Sequence, residues 1–221
     1  MSDPRLYLDH AATTPVLPEA QAAMAEALAQ WANPSSPHAE GRAAKARLED
    51  CRKRCKAALG WDGEVIFTSG ASEAIGIIFE RAMADGPRLV SAVEHSAVLR
   101  AAGEGALRLS VTGGGVLDLA ALDTALSAAT SLPLVAVQQV NNETGVIHPM
   151  ADIAARVADA GGLFFADVSQ AAGKLPLPRC DMAVLSAHKF GGPPGVGALL
   201  LRDLGLIRPS GGQEKGYRTG T

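Results

Sequence analysis

A lysine closes an apolar run in "DMAVLSAHKFGGPPG" (181–195), with His188 before Lys189 and a Gly/Pro-rich turn after it. A deprotonated lysine amine attacks carbonyl carbon, and desolvation lowers the amine's pKa toward that reactive form. Taken alone, Lys189 reads more simply as a solvated loop residue, because lysine is rarely buried without a partner. Four other apolar runs end in a comparable way. "EVIFT" leads into Ser69, Gly70, Ala71 and Ser72, and "RLVSAV" into Glu94 and His95. "PLVAVQQV" leads into Asn141, Asn142, Glu143 and Thr144, and "LFFA" into Asp167, Ser169 and Gln170.

Each group has a plainer reading. Ser72 with Glu73 beside it is an ordinary helix start. Asp167 reads equally as the cap of a following helix, and His95 as a half-buried core histidine. Together they describe a chemistry. A helix start after "TSG" offers backbone N–H groups and a dipole to a phosphate, although no Gly-Lys-Ser/Thr follows to make it a nucleotide P-loop. A strand-end carboxylate suits a protonated ring nitrogen, a histidine suits a flat ring, and a strand-end lysine suits a Schiff base. Pyridoxal 5′-phosphate asks for that set. A nicotinamide dinucleotide would need Gly-x-Gly-x-x-Gly after the first strand, which is absent.

These residues need a sheet to bring them to one edge, and the hydrophobic pattern supplies it. Helical spacing marks 18–32, 41–60 with a stop at Gly60, 71–86, 117–129 and 149–162. Short continuous apolar runs between them predict about seven strands, most of them parallel and covered by helices on both faces. Only residues 187–196 join the last two strands, too few for a crossover helix, so Val196–Arg202 should return antiparallel. In an open α/β sheet ligands bind beyond the carboxyl ends of the strands, where all five polar sets lie.

The chain has 221 residues, 48% hydrophobic, only 4% aromatic, with a net charge of −3, which gives no general attraction for nucleic acid or anionic membrane. "MSDPRLYLDHAATTP" lacks the basic and apolar regions of a secretory signal, no apolar run is long enough to span a membrane, and a cytoplasmic protein is expected. Cys51, Cys55 and Cys180 form no recognised disulfide or metal framework.

The segments "YLDHAATTP", "NPSSPHAEGRAA", "VIFTSGASEA", "VEHSAVL", "VNNETGV", "ADVSQAAGKLP", "SAHKFGGPPGVGALLL" and "GGQEKGYRTGT" span nearly the whole chain in an order and spacing that resemble the cysteine desulfurases. These are the NifS-like branch of the class V aminotransferases, with the fold type I architecture of pyridoxal-phosphate enzymes. The resemblance implies a pyridoxal-phosphate large domain over 16–221, preceded by an N-terminal segment, 1–15. It implies Lys189 as the cofactor lysine, His95 as the ring-stacking histidine that shares in proton transfer, and Asp167 as the partner of the ring nitrogen. Gln170 and Asn142 match groups near the ring hydroxyl, Ala71, Ser72, Ser186 and His188 match phosphate contacts, and Asn33 matches a substrate contact. Thr221 corresponds to a threonine that reaches the phosphate in a partner subunit, implying a homodimer with composite sites.

The implied reaction is L-cysteine to L-alanine, with sulfur held as an enzyme persulfide and passed to an acceptor or scaffold protein for iron–sulfur cluster or thio-cofactor supply. Relatives continue well beyond "RTGT" into a smaller domain that holds the substrate-carboxylate arginine and the sulfur-accepting cysteine. Cys51, Cys55 and Cys180 do not fall at that cysteine's motif. The expectation is therefore a chain truncated before that domain and carrying the cofactor half of the enzyme. A selenocysteine lyase, an aminotransferase of the same class, and a non-catalytic scaffold of this fold stand as alternatives.

Overall fold

The computed structural model describes residues 6–219. Two helices, α1 (Pro18–Ala29) and α2 (Ala39–Leu59), precede the first strand. β1 (Glu64–Thr68), α3 (Ala71–Arg81), β2 (Arg88–Ser91), α4 (Ser96–Ala102), β3 (Leu107–Leu109), α5 (Leu119–Ser127) and β4 (Leu134–Gln138) then alternate. α6 (Met150–Asp159), β5 (Leu163–Asp167), β6 (Met182–Ser186) and β7 (Gly197–Leu201) complete the main elements.

Seven strands form one sheet in the order β1-β7-β6-β5-β4-β2-β3. β2, β3, β4, β5 and β6 pair in parallel, whereas β7 runs antiparallel to both β6 and β1. The short 187–196 connection thus produces the predicted reversal. Alternate strand residues fill two cores. Ile66, Val90, Phe165 and Leu199 face α3 and α4, while Val65, Val135, Phe164 and Leu200 face α5 and α6. Both sides of β4, β5 and β6 are buried, which accounts for their uninterrupted apolar runs.

Local chemistry sets the helix ends. α2 stops at Gly60, whose φ of 63° suits a residue without a Cβ. Asp118 caps α5 by accepting from the Ala120 and Ala121 amides. α3 is shorter than the predicted 71–86, because Met83 N donates to Leu206 O and Ala82 bridges Ile207. The N-cap of α3 is Gly70 rather than Ser72. β7 passes so close to this turn that a Cβ at Gly197 would lie 2.5 Å from Gly70 Cα. That close approach sets the start of α3 against the end of β6.

Candidate active site

A cavity of about 250 Å³ opens at the carboxyl edge of the parallel strands. Ala71 and Ser72 from the start of α3, His95, and Asn142 line it together with Asp167 and Gln170 after β5. Ser186, His188 and Lys189 line it from the end of β6. Asn33 is not among the lining residues; it is exposed, and its Oδ1 accepts the Ser35 amide at 2.8 Å. Thr221 lies outside the described residues.

Lys189 sits in the single 3₁₀ turn, Ala187–Lys189, that follows β6. Its Nζ donates to Ala11 O at 2.6 Å and Ala12 O at 3.0 Å, and Gln170 Nε2 also donates to Ala11 O, at 2.9 Å. Thr14 fastens this N-terminal stretch to the lysine turn, N to His188 O at 2.7 Å and Oγ1 to Lys189 O at 3.1 Å. Burial lowers the Lys189 pKa below that of a free lysine, against the nearby Asp167 carboxylate and with help from Lys174. Burial, with the Lys189 charge, also lowers His188.

Asp167 is the last residue of β5 and is buried. It does not cap a helix, because the chain after it forms turns; its Oδ1 accepts the Ser169 amide at 2.9 Å. Burial pushes its carboxyl above the usual range, opposed by hydrogen bonding from Ser169 and the charges of His95 and Lys189. A cation placed in the cavity beside Asp167 would relieve that penalty. His95 is exposed rather than half-buried in the core. Its Nδ1 accepts the Ala97 amide at 3.1 Å, which places the proton of the neutral ring on Nε2.

At the opposite end, Ser186 Oγ accepts the Ala71 amide at 2.8 Å. Glu73 Oε2 accepts the Ser69 amide at 2.6 Å, and Arg218 holds the same carboxylate through contacts of 2.7 and 3.1 Å. The remaining first-turn N–H groups of α3 have the geometry and dipole of an anion site.

Ser169, noted at its strand end, also lines the cavity, as do Gln138, Val140 and Ile75, which were not singled out from sequence. Gln138 was visible as a polar residue inside the apolar run of β4, where both faces are covered. Among the described residues no group of three or more His, Cys, Asp or Glu is arranged to hold a metal ion, and no helix is long and apolar enough to cross a membrane.

A mainly parallel α/β sheet that gathers a lysine, a buried carboxylate, a histidine and a helix start into one strand-edge cavity has the architecture of a coenzyme-dependent enzyme domain. Residues 6–214 match the family described as Aminotransferase class-V, and the chain belongs to that family. It is 41% identical over 238 aligned positions to a cysteine desulfurase of Cereibacter sphaeroides, covering 98% of this chain and 61% of that protein. An IscS-like cysteine desulfurase of Mycobacterium tuberculosis is 40% identical, with coverages of 97% and 61%. The chain therefore spans about three-fifths of the length of these relatives.

Among solved structures, a NifS-like protein from Rickettsia africae superposes with a TM-score of 0.88 at 31% identity, over 97% of this chain and 64% of that one. A structure described as SspA in complex with cysteine superposes with a TM-score of 0.84 at 30% identity, over 97% of this chain and 68% of that one. The fold is that of the fold type I pyridoxal-phosphate enzymes.

Proposed function

We propose that the chain binds pyridoxal 5′-phosphate and forms the cofactor-holding part of a cysteine desulfurase. The observation that carries the reading is the convergence of Lys189, Asp167 and His95 with the α3 start in one cavity. The residues suit the group. The one side-chain hydrogen bond of Asp167 among the described residues uses Oδ1, so Oδ2 is left for a protonated ring nitrogen. The α3 start, Ser72, Ser186 and His188 suit a phosphate, and Gln170 and Asn142 a ring hydroxyl. Lys189 has the depressed amine pKa that attack on an aldehyde needs.

When bound, pyridoxal phosphate supplies a carbonyl carbon for amines and a cationic ring that accepts the electron pair left by a departing α-proton. Asp167 holds the proton on the ring nitrogen, which keeps that ring cationic. With that group in place, the Lys189 amine would take up and return the proton at the substrate α-carbon. His95 covers the ring face and, with its proton on Nε2, shares in proton delivery. For L-cysteine the sum is cysteine plus an enzyme thiol giving alanine plus an enzyme persulfide. None of Cys51, Cys55 and Cys180 lines the cavity, so the accepting thiol is assigned to none of them.

The relatives' names and the cysteine-bound structural neighbour support L-cysteine as substrate. The same resemblance supports a cytoplasmic homodimer with composite sites that feeds sulfur to a cluster or thio-cofactor acceptor, and a large domain over 16–221. Protein from its native source, given L-cysteine and dithiothreitol, should release sulfide and alanine in equal amounts. Transamination without sulfide, or turnover of selenocysteine alone, would reject the desulfurase reading in favour of another class V reaction.

A further inference from the structure

Glu94 precedes His95 at the end of the β2 segment but does not line the cavity. Its side chain is buried; Oε1 accepts the Gln138 amide at 2.6 Å, and Oε2 has no partner among the described residues. The sheet order explains what that bond spans. β4 lies between β2, whose following turn leads to His95, and β5, which ends in Asp167. The β2–β4 ladder ends at Val90 and Ala136, because the chain turns after Ser91, with Glu94 N donating to Ser91 O at 3.3 Å. On β4, Leu134 N points at the β2 side, to Pro87 O, and Gln138 N repeats that direction four residues on. No β2 carbonyl meets it there, and the Glu94 carboxyl takes the carbonyl's place.

The same turn is fastened twice more. Gln138 Nε2 and Asn141 Nδ2 both donate to Val93 O, the latter at 3.0 Å. The other edge of β4 grips β5: Gln138 pairs with Asp167, and Gln139 N donates to Asp167 O at 2.9 Å.

We propose that Glu94 is a positioning residue, a side-chain rung of the sheet that fixes the His95 ring relative to Asp167 across β4. The proposal rests on His95 and Asp167 being the groups that face the ring and its nitrogen. Burial and the neighbouring Asp167 push the Glu94 carboxyl well above the usual range, against the Gln138 amide bond. Glutamine reproduces the shape and the acceptor without a charge, whereas aspartate keeps an ionisable group but falls one methylene short.

The test compares the parent chain with Glu94→Gln and Glu94→Asp, first without cofactor. The Gln138 amide should stay protected from hydrogen exchange in the parent and in Glu94→Gln, and exchange on the order of tenfold faster in Glu94→Asp. The His95 ring resonances should follow the same order. With pyridoxal phosphate added, the visible circular dichroism of the bound cofactor should be parent-like in Glu94→Gln and reduced in Glu94→Asp. Equal exchange and equal His95 signals in all three proteins would overturn the proposal, as would a parent-like Glu94→Asp beside an altered Glu94→Gln. Failure of the parent to bind pyridoxal phosphate would instead refute the functional reading, with the cofactor-free comparison still judging Glu94.

Discussion

Glu214→Gln should destabilise the protein more than any surface charge change. Glu214 reaches from the segment after β7 to Arg52 in α2, and Arg52 is only 4% exposed. Two Arg52 nitrogens meet the two Glu214 oxygens at 2.5 and 2.8 Å, and the Phe67 amide donates to Oε2 at 2.8 Å. Arg52 also donates to Val65 O at 2.8 Å, so the pair ties α2, β1 and the terminal segment together. Glu214 and Lys215 hold φ values of 49° and 59°, a conformation that side chains other than glycine rarely adopt. Removing one partner of a buried pair costs about 3–5 kcal/mol, and for a chain of this length that lowers Tm by about 6–20 °C.

Thermal and urea unfolding of Glu214→Gln, Arg52→Met and the double variant make a cycle, and its coupling energy should reach about 2 kcal/mol. A coupling below about 0.5 kcal/mol, typical of exposed pairs, would refute the argument. The loss should also reach the cavity. Arg218 follows Glu214 and holds Glu73, which in turn accepts the Ser69 amide at the start of α3, so inorganic phosphate should bind more weakly to Glu214→Gln.

Asp167→Ala should leave some pyridoxal phosphate bound while α-proton exchange of L-alanine in deuterated water falls by at least about 100-fold; unchanged exchange refutes the role given to Asp167. Glu94→Gln should gain stability relative to the parent as pH rises. A carboxyl with a raised folded pKa stabilises fully below its ordinary value of 4.5 and progressively less as pH climbs toward the folded pKa, so the Tm difference should grow as pH rises above 4.5, and a flat difference contradicts the raised carboxyl pKa. Burial pushes the Cys180 thiol up to about 12, while Cys51 is exposed. Iodoacetamide at pH 8 should therefore label Cys51 first in a mass-spectrometric time course, and prompt labelling of Cys180 would contradict its raised thiol pKa.

The sequence disclosed the sheet well because β4, β5 and β6 are covered on both faces and so read as unbroken apolar runs. The reversal at β7 followed from the length of its connection. The end of α3 was not legible, since contacts with Leu206 and Ile207, far along the chain, terminate it. In the site, residue types at strand ends marked Lys189, Asp167 and the α3 start without showing how they are held. Ser186 read as a phosphate group in the resemblance, yet its hydroxyl also anchors the Ala71 amide. The carbonyls that Ala11 and Ala12 supply to Lys189 had no signal in the sequence. Such links join residues more than a hundred positions apart and leave no periodic trace.

The proposed function requires Lys189 to be the covalent anchor of a cofactor. Its most direct test is a pyridoxal phosphate titration of the chain, followed by borohydride reduction, peptide mapping and visible absorbance. The account predicts a visible band and a pyridoxyl group on the peptide containing Lys189, both lost in Lys189→Ala. A colourless protein at excess cofactor, or a label carried by another lysine, would contradict it.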